Sequence, residues 1–214
     1  MADGGLRARQ KEKRKQAIMA AAARLFQDQG FDAASMEDIA GVAELSVGTV
    51  YNYFKSKAEI CLAIYQADRD LVHAATDRII AKPPADPVTA ICRMMEVDFE
   101  TEVGFMDRAA WSALFGAAFT GQSALSAAFV SDELMRVDQF RRLLQVLAAN
   151  GKIDASADLD ASAEMLGALN LWFFMRWLAG LRSGDAAAKS GILDAKSRAV
   201  LRRQVTQMLR GLAV

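Results

Sequence analysis

SMEDIAGVAELSVGTVYNYFKSKAEI, residues 35–60, decides how this chain is read. Met36, Ile39, Ala40 and Ala43 recur at the spacing of one buried helix face. Ser35 stands just before them, where its hydroxyl can accept a free backbone N–H, and Asp38 can reach back to complete a capping box. The period breaks at Ala43–Ser46. Ser46 then caps a third helix that reaches Phe54, and Ser56–Glu59 (SKAE) reads as a second capping box opening a fourth. Two short helices joined by a turn of about three residues outline a helix-turn-helix.

The third helix divides by face. At about 100° per residue, Val50 and Phe54 share one side and pack inward. Thr49, Asn52 and Tyr53 point away, with Gly48 and Tyr51 on the flanks and Val47 nearer the core. The outer face carries hydroxyls, an amide and rings, which suit phosphate oxygens and base edges in a major groove. Gly48 lets another backbone come close. Tyr51 and Tyr53 are also readable as core aromatics, as Phe54 is. Lys57 adds a full charge to the positive end of the fourth helix, a place that suits a phosphate. No Arg, Lys, Gln or Glu precedes Lys55 in the third helix, so an arginine fork to guanine is not offered there.

Outward from this stretch the chain reads as helix throughout. Before it, a helix from about Ala8 to Gln29 buries Ile18, Ala21, Ala22, Leu25 and Phe26, and Gly30 supplies the C-terminal cap. After it, the fourth helix runs toward Ile80 and KPPADP (82–87) breaks the chain. Further helices are expected over about 88–103 and 104–120, then a longer one leading to Asn150-Gly151 (with Val130, Leu134, Val137, Leu144 and Leu147 near helical spacing), then over 159–181 and 193–212. No strand alternation and no repeat stand out.

Composition narrows the function. The 214 residues are 53% hydrophobic and carry zero formal net charge, so attraction to a polyanion must be local. Residues 1–15 supply it: Arg7, Arg9, Lys11, Lys13, Arg14 and Lys15 face only Asp3 and Glu12. This basic arm is either a nucleic-acid contact or a solvated charge run. Cys61 and Cys92 are the only cysteines, without metal-ligand spacing or a disulfide framework, and read as buried small hydrophobes or a redox switch. His73 is the only histidine, read as a solvated or hydrogen-bonded helix residue. No nucleophile elbow, phosphate-binding glycine loop or metal cluster is present, so no enzyme activity, metal or cofactor is expected. No signal peptide precedes the basic segment, and the greasiest run, 165–181, is interrupted by Asn170 and Arg176. A cytoplasmic protein without a membrane partner is expected.

Residues 35–60, with ARLFQDQGFDAAS before them, resemble the DNA-binding signature of the TetR family of transcriptional regulators. Ile39-Ala40, Ala43, Ser46, Gly48, Tyr51, Tyr53-Phe54 and Lys57 all fall in register over about residues 12–62. Glu44 departs from it, standing where the family commonly has glycine. The resemblance implies an all-α protein of about nine helices. Residues 1–55 would form a three-helix DNA-binding domain with the basic arm. Residues 56–214 would form an effector-binding and dimerisation domain. It implies a homodimer reading a palindromic operator, most often as a repressor released by a small molecule. An adaptor or architectural protein on DNA, with no effector, is the alternative. Carried over, base contacts fall on Val47, Gly48, Thr49, Tyr51 and Asn52, and phosphate contacts on Ser35, Thr49, Tyr51, Tyr53 and Lys57, with Ser46 at the helix start.

In the second half, Met94, Met95, Phe99, Trp111, Phe115 and Phe119 are candidate walls of a ligand pocket. The helix from Leu159 is apolar nearly all round, which suits burial on two sides. Leu166, Leu169, Phe173 and Trp177, with Leu201, Val205 and Met208 of the last helix, are the candidate dimer contacts.

Overall fold

The computed structural model describes residues 3–99, 111, 124–179 and 195–210, and all regular structure among them is helical. Among the described residues eight helices have assigned bounds: α1 (Asp3–Gln29), α2 (Met36–Val42), α3 (Val47–Tyr53), α4 (Lys57–Ala81), α5 (Pro87–Phe99), α6 (Ala124–Ala149), α7 (Leu159–Leu178) and α8 (Ala195–Leu209). The helix expected over 104–120 lies outside the described residues, except that Trp111 is helical. The chain forms two compact units, 1–68 with 103–129, and 69–102 with 130–214.

The first unit is built on α1. Ile18, Ala21, Ala22 and Phe26 are buried, as their spacing requires, and Leu25 is half-buried. The helix starts at Asp3 rather than at about Ala8, so the whole basic segment is helical. Gly30 ends it with φ +87°, a left-handed conformation that only glycine adopts without strain, and its N–H donates to the Phe26 carbonyl at 3.1 Å. Met36, Ile39 and Ala40 of α2, Val50 of α3, Phe54 and Ile60 complete the interior. Trp111 is buried with its ring edge on Tyr65, centroids 5.7 Å apart.

The second unit packs α5 through α8 and the end of α4 around one apolar core. Ile91, Met94 and Met95 meet Phe140, Leu143, Leu144 and Leu147, then Ala163, Leu166 and Phe173, then Leu201, Val205 and Leu209. Beside it runs a polar seam between α4 and α6. His73 meets Asp132 through Nε2 at 2.6 Å and Gln139 through Nδ1 at 3.1 Å, and the Arg142 guanidinium donates to Asp77 at 2.7 Å. Burial pushes the Cys61 thiol up to about 12 and the Cys92 thiol up to about 11, so both stay protonated and behave as small apolar side chains.

Close approach of α6 and α7 depends on Gly167. A Cβ at that position would stand 2.7 Å from Cγ2 of Val137. Valine has little rotamer freedom on a helix, so the contact cannot be relieved cheaply. Gly167→Ala is expected to lower stability by about 1–2 kcal/mol, the overpacking cost less the helix-propensity gain. In a Val137→Ala background the same change becomes neutral or stabilising. Denaturant unfolding of the four chains measures the sign reversal.

Candidate nucleic-acid interface

The outer face of α3 is held from beneath and from both ends. Val50 is 0% exposed and Phe54 is buried, so one turn of apolar contact pins a helix of seven residues. Ser46 is the N-cap: its Oγ accepts the Thr49 N–H at 3.2 Å and pairs with the Thr49 hydroxyl at 2.7 Å. At the other end the Lys55 ammonium donates to the Tyr51 carbonyl at 2.9 Å, where the helix leaves carbonyls unpaired. Gly48, Tyr51 and Asn52 are exposed, and Val47, Thr49 and Tyr53 are half-buried. Val47, Gly48, Thr49, Tyr51, Asn52 and Tyr53 thus sit on one short helix, and the structure places Tyr51 outside the core.

Ser35 starts α2 as expected. Its Oγ accepts the Asp38 N–H at 3.0 Å, while the Asp38 carboxylate accepts the Ser35 N–H at 3.0 Å. The Ser35 hydroxyl and then its backbone N–H hold the Asp38 pKa below the usual carboxylate value. A depressed carboxylate stabilises the fold at neutral pH, and that contribution is lost as pH falls through the lowered value. The second capping box is shifted by one residue: Ser56 Oγ accepts the Glu59 N–H at 3.2 Å, but the Glu59 carboxylate takes the N–H of Lys55 at 2.6 Å.

The turn between α2 and α3 keeps the geometry of a glycine without having one. Glu44 has φ +54°, its N–H donates to Gly41 and the Leu45 N–H donates to Ala40. That is a Schellman closure with glutamate at the left-handed position, which costs roughly 1–2 kcal/mol relative to glycine. Gly151 closes α6 by the same two bonds, through Ala148 and Leu147, with φ +66° and no such strain.

Lys57 corrects the sequence expectation. Its Nζ donates to the carbonyls of Phe31 (2.7 Å), Asp32 (3.2 Å) and Ala34 (2.6 Å) and lies 4.7 Å from the centroid of the Phe31 ring. An ammonium has three hydrogens. All three are engaged inside the domain, so none is left for a phosphate. Lys57 ties the first turn of α4 to the loop that leads into the Ser35 cap. No apolar period or capping motif marks such a long-range tether in sequence.

The other expected sites are placed differently. Met94 and Met95 lie in the packed core of the second unit, and Trp111 is buried in the first. Phe115, Phe119 and the side chains of Phe99 and Trp177 lie outside the described residues. Leu166, Phe173, Leu201 and Val205, expected at a dimer contact, are buried within their own core, and Leu169 and Met208 pack against it. Leu166 and Phe173 face inward because α7 uses that side to close the core, and Leu201 and Val205 of α8 join the same core. Its outer side carries Met165, Trp172 (54% exposed) and Met175 instead. Among the described residues no group of three or more His, Cys, Asp or Glu is placed to hold a metal, and no helix is long and apolar enough to cross a membrane.

The first unit therefore carries a helix-turn-helix whose second helix presents a capped, exposed face. Residues 18–64 match the family model of the bacterial regulatory proteins of the tetR family. The match marks this helix-turn-helix as a domain of the tetR type. It is 34% identical over 88 residues to the HTH-type transcriptional regulator EthR of Mycolicibacterium smegmatis, a stretch that spans 41% of this chain and 41% of that relative. The fold extends further. A TetR transcription regulator from Haloarcula marismortui superposes with a TM-score of 0.72 at 13% identity, over 94% of this chain and 98% of that one. FadR of Bacillus subtilis, solved in complex with stearoyl-CoA, gives 0.67 at 15% identity over 92% and 98%.

If Lys57 is a tether, Lys57→Met lowers thermal stability by about 1–3 kcal/mol through the carbonyls it leaves unpaired. It leaves the salt dependence of DNA binding unchanged, whereas loss of a phosphate contact lowers the slope by about one. Thermal melts and salt titrations of the folded variant separate the two.

Proposed function

We propose that the chain is a ligand-responsive transcriptional regulator, acting in the cytoplasm as a homodimer that represses from a palindromic operator. The observation that carries this is the outer face of α3, exposed over Gly48, Tyr51 and Asn52 yet fixed by Val50, Phe54 and the Ser46 cap. A helix that rigid and that short has little use for so many exposed aromatic and polar groups unless something docks on them. Val47, Gly48, Thr49, Tyr51 and Asn52 meet base edges. Ser35, Ser46, Thr49, Tyr51 and Tyr53 meet phosphates and sugars. With no cation before Lys55 in α3, the reader depends on thymine methyls, on Asn52 as its amide, and on groove shape.

Residues 1–55, with the start of α4 that Lys57 ties to them, serve as the DNA-binding domain, and the rest of 56–214 as the effector and dimer domain. The apolar outer side of α7, with Met165, Trp172 and Met175, is the surface that a second copy covers. The fold shared with FadR, which was solved holding stearoyl-CoA, supports an effector-binding second half. Two equivalent readers in a dimer then meet two half-sites, and an effector acts by changing their separation.

Gly48 supplies the test. A Cβ built there meets nothing within 4 Å, so no packing within the domain requires glycine. Gly48→Ala should raise stability by about 0.5–1 kcal/mol, the helix-propensity gain. It should weaken DNA binding at least tenfold by holding the α3 backbone away from the groove. Thermal melting and fluorescence anisotropy on one preparation read both effects. Unchanged DNA affinity in the stabilised variant would contradict the assignment of α3.

A further inference from the structure

The basic N-terminal segment is not an extended arm. It is the first three to four turns of α1, and every described side chain from Gly5 to Ala17 is exposed. Helical geometry sorts its charges in a way that composition does not reveal. Taking Arg7 as the origin, Lys11, Arg14 and Lys15 fall within an arc of about 100° around it, and Ile18 lies inside the same arc. Between Leu6 and Ile18, every residue in that arc is a cation. Arg9 and Lys13 fall on the opposite side, as do Glu12 and Gln16, which are hydrogen-bonded to each other at 3.3 Å.

The stripe is unfavourable as it stands. Lys11/Lys15 and Lys11/Arg14 are like-charge pairs at i,i+4 and i,i+3. A row of anions alongside would relieve their repulsion. The stripe continues the side of α1 that buries Ile18 and Ala22, so it projects along the face by which α1 joins the domain. Arg7, Lys11 and Arg14 succeed one another at about 4–6 Å along the helix, with Lys15 about 1.5 Å beyond Arg14, close enough for long side chains to follow consecutive phosphates. Leu6 is the only large apolar residue in the segment, so the helix lacks the apolar face that a membrane surface requires.

We infer that Arg7, Lys11, Arg14 and Lys15 form a phosphate-tracking site on α1, separate from α3, that grips duplex DNA without reading its sequence. This site rests on the regulator function proposed above. It adds affinity that α3, poor in cations, does not supply.

The test compares two charge-matched variants of the full chain, Lys11→Gln/Arg14→Gln and Arg9→Gln/Lys13→Gln, on a random-sequence duplex over a salt series. Each removes two positive charges, and glutamine keeps the helix propensity. The stripe pair should lower the slope of log affinity against log salt by about two and weaken binding at low salt at least tenfold. The opposite pair should change the slope by less than about half. Equal decrements from both variants would show that only net charge matters and would overturn the site. No change from either would place the helix off the DNA and would also overturn it. Salt-independent or absent binding by the unmutated chain would overturn the regulator function and the stripe together.

Discussion

The burial of Val50 is the constraint on which the exposed face of α3 depends. A helix of seven residues does not persist alone, because nucleation costs more than so few hydrogen bonds return. Val50, fully buried, and Phe54 give α3 its anchor, worth about 1.5–3 kcal/mol for each side chain. Ser46 adds a cap worth about 1 kcal/mol. Gly48, Tyr51 and Asn52 are therefore displayed in a fixed arrangement without contributing to the core. The surface can be chosen for what it touches because the opposite side does the folding.

The same division governs the charges. Lys57 directs its ammonium into three backbone carbonyls and fixes the loop that carries the Ser35 cap. Glu44 holds a left-handed turn against its own preference, closed by bonds to Gly41 and Ala40. Neither supplies a cation to the outer face of α3. The cations of the domain are concentrated instead on the solvent-exposed turns of α1. In the proposed reading, a reader held by apolar contact and a separate electrostatic grip divide one binding problem: the first would select sequence, the second would add affinity for any duplex.

Local rules made the first unit legible. Gly30, Ser35 with Asp38, and Ser46 act through neighbours within four residues, and each appears where its chemistry predicts. The Lys57 tether spans more than 20 residues, so its spacing carried no signal and a helix-end lysine resembled a phosphate ligand. The second unit shows a different limit. The period of α6 located a helix, but Leu134 is 67% exposed whereas Arg136 and Gln139 are buried, because the His73 and Asp132 seam satisfies polar groups inside. In α7, apolar residues on all sides concealed which side met the core. Leu166 and Phe173 face inward, and Trp172 faces out. Periodicity reports that a helix is buried on a face, and only the tertiary partner decides which face.

Enrichment of bound duplexes from a randomised pool by the full chain tests the central claim most directly. A dimer presenting two α3 helices selects two inverted half-sites whose centres lie about one helical turn, or a multiple of it, apart. Each half-site should be rich in thymine, since the outer face of α3 offers Thr49, Tyr51 and Asn52 and no arginine. A single undivided motif, or a half-site fixed by an obligatory guanine, would contradict this account of how α3 reads DNA.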